Sequence, residues 1–188
     1  MIRRRAFPLL LILWASALSA ETLTLELDPA ATTVEFTFNA TLHTVKGSLH
    51  AKQGTVQLDS ETGAASGWVV LDATSATTGN GRRDRKMHDK ILESQRYPDI
   101  VFDLERVSGR LNRTGRSELQ LHGTLEMHGT RRPVALPAIA LSNGDRVTAT
   151  GTLVVPYLEW GMKDPSFLFL RVAKEVKVTV RASGRLGG

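Results

Sequence analysis

Strict alternation of apolar and polar residues is what most narrows the folds open to this chain. In Thr33-Val34-Glu35-Phe36-Thr37-Phe38 every even position is apolar and every odd one polar. Successive side chains of a strand point to opposite faces, so Val34, Phe36 and Phe38 share one buried face of a sheet. The same alternation runs through Ser117–His128, where Leu119, Leu121, Leu125 and Met127 interleave with Glu118, Gln120, His122 and Glu126. It returns near the C-terminus, with Val176, Val178 and Val180 set against Lys177, Thr179 and Arg181. Leu23–Leu27, Thr55–Leu58, Trp68–Leu71, Ile100–Val107, Val134–Ala140 and Val147–Val155 are further strand candidates. Nineteen Thr and fifteen Val against five Ile and two Tyr agree with this reading.

About eight or nine antiparallel strands, each with one apolar face, must bury that face. Only one helix candidate is available to cover it, so closure into a barrel is the economical solution, with a two-sheet sandwich as the alternative. That helix is expected within Gly79–Arg96, where Met87, Ile91 and Leu92 fall on one face and Asn80 can cap the start. Tyr97-Pro98 should end it, because a residue before proline avoids helical dihedrals.

Met1–Ala20 has another character. Arg3, Arg4 and Arg5 precede a short apolar run and then small residues, the layout of a secretory signal. Cleavage is expected after Ala20, or after Ala17. The run is about half the ~20 residues that cross a bilayer, and no later stretch is a transmembrane candidate. The mature chain, residues 21–188, then reads as one soluble domain, periplasmic or secreted. Losing the leader takes 24 basic residues to 21 against 19 acidic, a net +2 that makes no case for nucleic-acid binding.

The absence of cysteine excludes a disulfide scaffold, a thiolate zinc site and a cysteine nucleophile. No nucleophile elbow or phosphate-cradling loop is present. His122 and His128 share parity with polar neighbours and should face solvent, about 20 Å apart at ~3.3 Å per residue, too far for one metal. Asp84 and His88 lie four apart on the expected helix and would need a third ligand from elsewhere to hold a metal. Catalytic and metal residues are therefore expected to be none.

What remains is apolar. Phe36, Phe38, Trp68, Phe102, Leu104, Trp160, Phe167 and Phe169 are candidates to line a barrel cavity, because an eight-stranded barrel is just wide enough to be filled or to hold one small ligand. Arg82, Arg83, Lys86 and His88, near the helix, are candidates for a head group, since guanidinium offers paired donors to phosphate.

Three segments in order carry a family resemblance. The first is Asp28–Phe38 with Val45-Lys46-Gly47. The second is Asp72–Phe102, with Ala73-Thr74-Ser75, Thr78-Gly79-Asn80, Arg83-Asp84 and Tyr97-Pro98-Asp99-Ile100-Val101-Phe102. The third is Gly123–Leu136, followed by Trp160-Gly161-Met162 and the strand Val172–Val180. Together they resemble the YceI-like, polyisoprenoid-binding family of exported bacterial proteins. The resemblance implies an extended lipocalin-like barrel with a helix beside it, whose apolar tunnel holds a long-chain amphiphilic lipid. It implies a carrier or sequestering protein rather than an enzyme, with no cofactor beyond that lipid. The chain departs from the family at Ala31-Thr32, where relatives often have His-Ser, and at Tyr157, where relatives often have Arg. A stress-related interaction protein with a filled barrel is the alternative, and a homodimer stays open as an assembly.

Overall fold

Nine strands carry the architecture of the computed structural model, which describes residues 22–41, 43–59, 62–166 and 171–187. The expected leader and the aromatic pair Phe167 and Phe169 lie outside the described residues. In chain order the strands are β1 (Thr22–Leu27), β2 (Thr33–Ala40), β3 (His43–Asp59), β4 (Ala64–Thr77), β5 (Asp99–Ser108), β6 (Thr114–Met127), β7 (Thr130–Asn143), β8 (Arg146–Val155) and β9 (Val176–Gly187). All pairings are antiparallel, and β2 to β9 close into an eight-stranded barrel through the β3–β4 and β2–β9 seams. Barrel closure is therefore the outcome, not the sandwich.

The ninth strand shares a slot with another. β1 pairs with Thr55–Asp59 of β3 and Gly184–Gly187 of β9, while β2 pairs with His43–Leu49 and Lys177–Arg181 of the same two strands. They run end to end, broken at Asp28–Thr32. There the Asp28 carboxylate accepts from the backbone N–H groups of Ala30 and Ala31, at 3.0 and 3.2 Å. Thr32 donates through Oγ1 to the Asp28 carbonyl at 2.8 Å and accepts from Ser183 N–H at 3.2 Å. The break thus satisfies its own backbone groups instead of leaving them buried and unpaired.

A second seam is incomplete. β7 pairs with β6 along its whole length but with β8 only from Ala138 onward. Pro133 and Pro137 sit in the stretch without a β8 partner, where a residue lacking an N–H is tolerated. A 3-10 turn, Tyr157–Trp160, packs into this gap, and Arg132 Nε donates to the Glu159 carbonyl at 2.8 Å.

The interior divides into two halves. At one end Leu58, Leu104 and Val107 form a core with Val56, Phe102, Leu111, Leu119 and Leu121. At the other, two clusters face each other. Val34, Phe36, Leu49 and Ala76 form one wall, and Leu125, Met127, Val155, Tyr157, Trp160 and Met162 form the other.

The helix is shorter than the sequence suggests. One α-turn segment, α1 (Gly81–Lys86), continues as a π-helical turn over Met87–Leu92 and stops at Glu93, whose φ of 44° is left-handed. Tyr97-Pro98 is not the stop. The buried Ser94 is, because its N–H bonds back to the His88 carbonyl at 3.2 Å and its hydroxyl pairs with the His88 ring at 2.9 Å, curling the chain inward. Asn80 caps the start as its residue type allows, accepting from Arg83 N–H at 3.0 Å.

A half-hollow barrel as candidate binding site

The inward residues of the strands build the site first. Val34, Phe36 and Phe38 on β2 pair with Leu49, Gly47 and Val45 on β3, so their side chains lie on the same face. Phe36 and Phe38 stack with ring centroids 6.4 Å apart. Gly47 is required here. A Cβ on it would stand 2.2 Å from the Phe36 ring, so only a bare backbone lets that ring lie flat against the wall. On β4 the corresponding positions are small, Ala73 and Ala76, and space opens opposite them.

That space is a cavity of about 500 Å³. It is lined by Phe36, Phe38, Val45, Leu49, Ala73 and Ala76, by Val176 and Val178 beside them on β9, and by Ile100, Met127, Val155, Tyr157 and Met162. Met87, Ile91 and Leu92 close over it from the helix, which makes their shared face a lid. None of the residues of the Leu58–Leu104–Val107 core lines it, so the cavity occupies one end of the lumen and that core the other.

The rim is cationic. Arg82, Arg83, Lys86 and Arg171 line the mouth with His43, Asn80 and Thr41. Lys86 Nζ donates to the Pro165 carbonyl at 3.0 Å, bridging the helix to the segment after the 3-10 turn. Arg83 Nε donates to Thr78 Oγ1 at 2.7 Å, and Thr78 in turn donates to Asp84. Asp84 also accepts from Thr77 Oγ1 at 2.9 Å and Thr78 N–H at 2.9 Å. Partial burial pushes this carboxyl up, but those hydrogen bonds and the Arg83 charge outweigh it and hold it below the ordinary carboxylate value.

Several expected site residues stand elsewhere. Trp68 points outward and is 36% exposed, because it pairs with Asp103 while its neighbour Val69 pairs with the inward Phe102. Phe102 and Leu104 point inward without lining the cavity, Leu104 within the core at the far end and Phe102 packed against both that core and the Leu125–Trp160 cluster. Trp160, 3% exposed, packs in the β7–β8 gap and donates from its indole N–H to the Leu125 carbonyl at 3.3 Å, behind the cavity wall. His88 does not reach the rim. Its Nε2–H donates to the Ala76 carbonyl at 2.8 Å and its Nδ1 pairs with Ser94, so the ring clips the helix to β4. The Asp84/His88 metal pair is not formed either, since each side chain is engaged with its own partners. Among the described residues no three His, Asp or Glu side chains gather as metal ligands.

His128 is a further correction. β6 ends at Met127, and His128-Gly129 form a two-residue hairpin turn with φ of 52° and 71°. The ring is folded inward, 4.6 Å from Tyr97 by centroid, with Nδ1 donating to the Trp160 carbonyl at 3.2 Å. His122 lies outside, 3.2 Å from Ser108 Oγ. Sequence reasoning missed Arg171, Met162 and Tyr157 at the cavity, because they follow β8 in a segment with no periodicity. Ala73 and Ala76 were missed because a small residue carries no apolar signal of its own.

Comparison with known proteins agrees with this fold. BcnA from Burkholderia cenocepacia is similar with a TM-score of 0.68 at 19% identity, covering 84% of this chain and 98% of that one. A polyisoprenoid binding domain from Saccharophagus degradans, implicated in plant cell wall breakdown, gives 0.69 at 14% identity over 87% and 98% of the two chains. The Campylobacter jejuni YCEI protein gives 0.58 at 15% identity over 78% and 88%. No curated protein matches the chain. The pattern that defines the YceI-like domain matches residues 25–183, all nine strands included in whole or part, and the chain belongs to that family.

Proposed function

We propose that this protein is an exported, non-catalytic binder of a long-chain amphiphilic, isoprenoid-like lipid, acting as a carrier or sequestering protein. The observation that carries the reading is the hollow half of the barrel, about 500 Å³ walled by aliphatic, aromatic and methionine side chains. Its size is within the range of small-molecule sites, ~300–1,000 Å³. A hydrocarbon chain desolvated there gains about 0.8 kcal/mol per methylene, so about ten methylenes supply a gross 8 kcal/mol before ordering costs.

Phe36 and Phe38 would lie along the chain, and Arg82, Arg83 and Lys86 would meet an anionic or carbonyl head group at the rim. Among the described residues no helix is long and apolar enough to cross a membrane. The Arg-rich start and short apolar run of Met1–Ala20 support export. The structural likeness to a polyisoprenoid binding domain supports an isoprenoid guest over a compact one.

Denaturing the purified protein and extracting it with organic solvent tests this. A co-purifying lipid in the mass spectrum, and its uptake by delipidated protein, are expected. No extractable lipid together with no uptake would end the proposal.

A further inference from the structure

Three buried side-chain atoms among the described residues have no hydrogen-bond partner: His128 Nε2, Ser142 Oγ and Tyr157 Oη. Of these residues only Tyr157 lines the cavity. Its side chain packs with Met127, Val155 and Met162, and the residue is 5% exposed. Burial, and after it the negative charge of Asp164, push the phenol above its ordinary value, so the hydroxyl keeps its proton and remains a donor.

A phenol buried without a partner carries an unrecovered desolvation cost, whereas phenylalanine would fill the same space without it. The hydroxyl therefore marks a partner that enters with the guest. Met127 and Met162, unbranched and adaptable, are the neighbours that can give way to admit it.

We propose that Tyr157 sets the ligand class of the cavity, donating a hydrogen bond to a neutral oxygen, hydroxyl or carbonyl, carried by the guest near its polar end. This rests on the lipid-binding reading above. It adds that a pure hydrocarbon is not the preferred guest, and that discrimination comes from inside the wall as well as from the cationic rim. A site built to meet an oxygen disfavours the analogue that lacks it, because the buried hydroxyl is then left unpaired.

The test uses a matched pair of probes, phytanol and phytane, the same branched chain with and without a hydroxyl. Each displaces a neutral naphthylamine dye from delipidated protein, wild type and Tyr157→Phe. Wild type should prefer phytanol, and Tyr157→Phe should lose about three- to tenfold in phytanol affinity with phytane unchanged. Thermal melting of delipidated Tyr157→Phe should show a midpoint equal to or above that of wild type, since an unpaired buried group has been removed. Equal losses for both probes, no loss for either, or a lowered melting point would each overturn the assignment while leaving lipid binding standing. Failure of both probes to bind wild type would sink the binding-barrel reading itself, and this inference with it.

Discussion

Truncating one residue in each half of the lumen separates a hollow barrel from a filled one. Phe36 is 8% exposed and Leu104 is 6% exposed, so by burial alone they are equivalent. In a sealed interior Leu104→Ala costs both the transfer term and the cavity it leaves, about 3–5 kcal/mol. Phe36→Ala removes a larger side chain, but the space it leaves merges with an existing cavity. Only the transfer term applies, about 2–3 kcal/mol. The smaller truncation should therefore cost more. Urea unfolding of the delipidated variants, followed by far-UV circular dichroism, measures the difference, with the slope checked to be unchanged. The order should invert for the guest, with Phe36→Ala weakening lipid uptake about tenfold, or 1.4 kcal/mol, and Leu104→Ala leaving it near wild type. If delipidated Phe36→Ala proved less stable than Leu104→Ala by more than about 1 kcal/mol, the hollow-end reasoning would be refuted.

Other outcomes follow from the same geometry. Ala76→Phe should fill the cavity, raising the melting point of the delipidated protein by the equivalent of about 0.5–2 kcal/mol and abolishing lipid uptake; scanning calorimetry and the extraction assay read both. Arg82→Gln with Lys86→Gln should weaken an anionic amphiphile several-fold at low salt but leave a neutral one unchanged, and added salt should erase the difference, as titration at two ionic strengths would show. Asp84 has a carboxyl held below its ordinary value of 3.8 by Thr78 and Thr77 against the opposing effect of burial. Its contribution is full above that value and is lost as pH falls through the depressed folded one. Protection of the Gly81–Leu92 amides, with the intrinsic exchange rate at each pH divided out, should fall in that acid range in wild type, while Asp84→Asn should show low protection throughout and no such step.

How far the fold could be read from the sequence varied with the kind of signal. Where polar residues alternate with apolar ones, as along Thr33–Phe38 and Val176–Arg181, the inward face was legible because only one parity avoids burying charge. Trp68-Val69-Val70-Leu71 gave a strand but no face, since four apolar residues in a row have no polar parity to exclude, and Trp68 proved to point outward. His128 was misplaced because the two-residue turn at His128-Gly129 interrupts an alternation that otherwise continues smoothly into it. The early helix stop at Glu93 depends on the contact between Ser94 and His88, which forms only once the turn has closed. At the cavity, Phe36 and Phe38 were legible as large apolar residues on an inward face. The space itself was not, because it opens at Ala73 and Ala76, by what those residues lack.

The division of the lumen has an evolutionary corollary. Leu58, Leu104 and Val107 pack at the end of the lumen away from the cavity, so the two ends are held by different residues. Substitutions among the cavity-lining residues then leave the packing of that other end untouched. Under the proposed lipid-binding function, such an arrangement lets the choice of guest change while the keel stays constant.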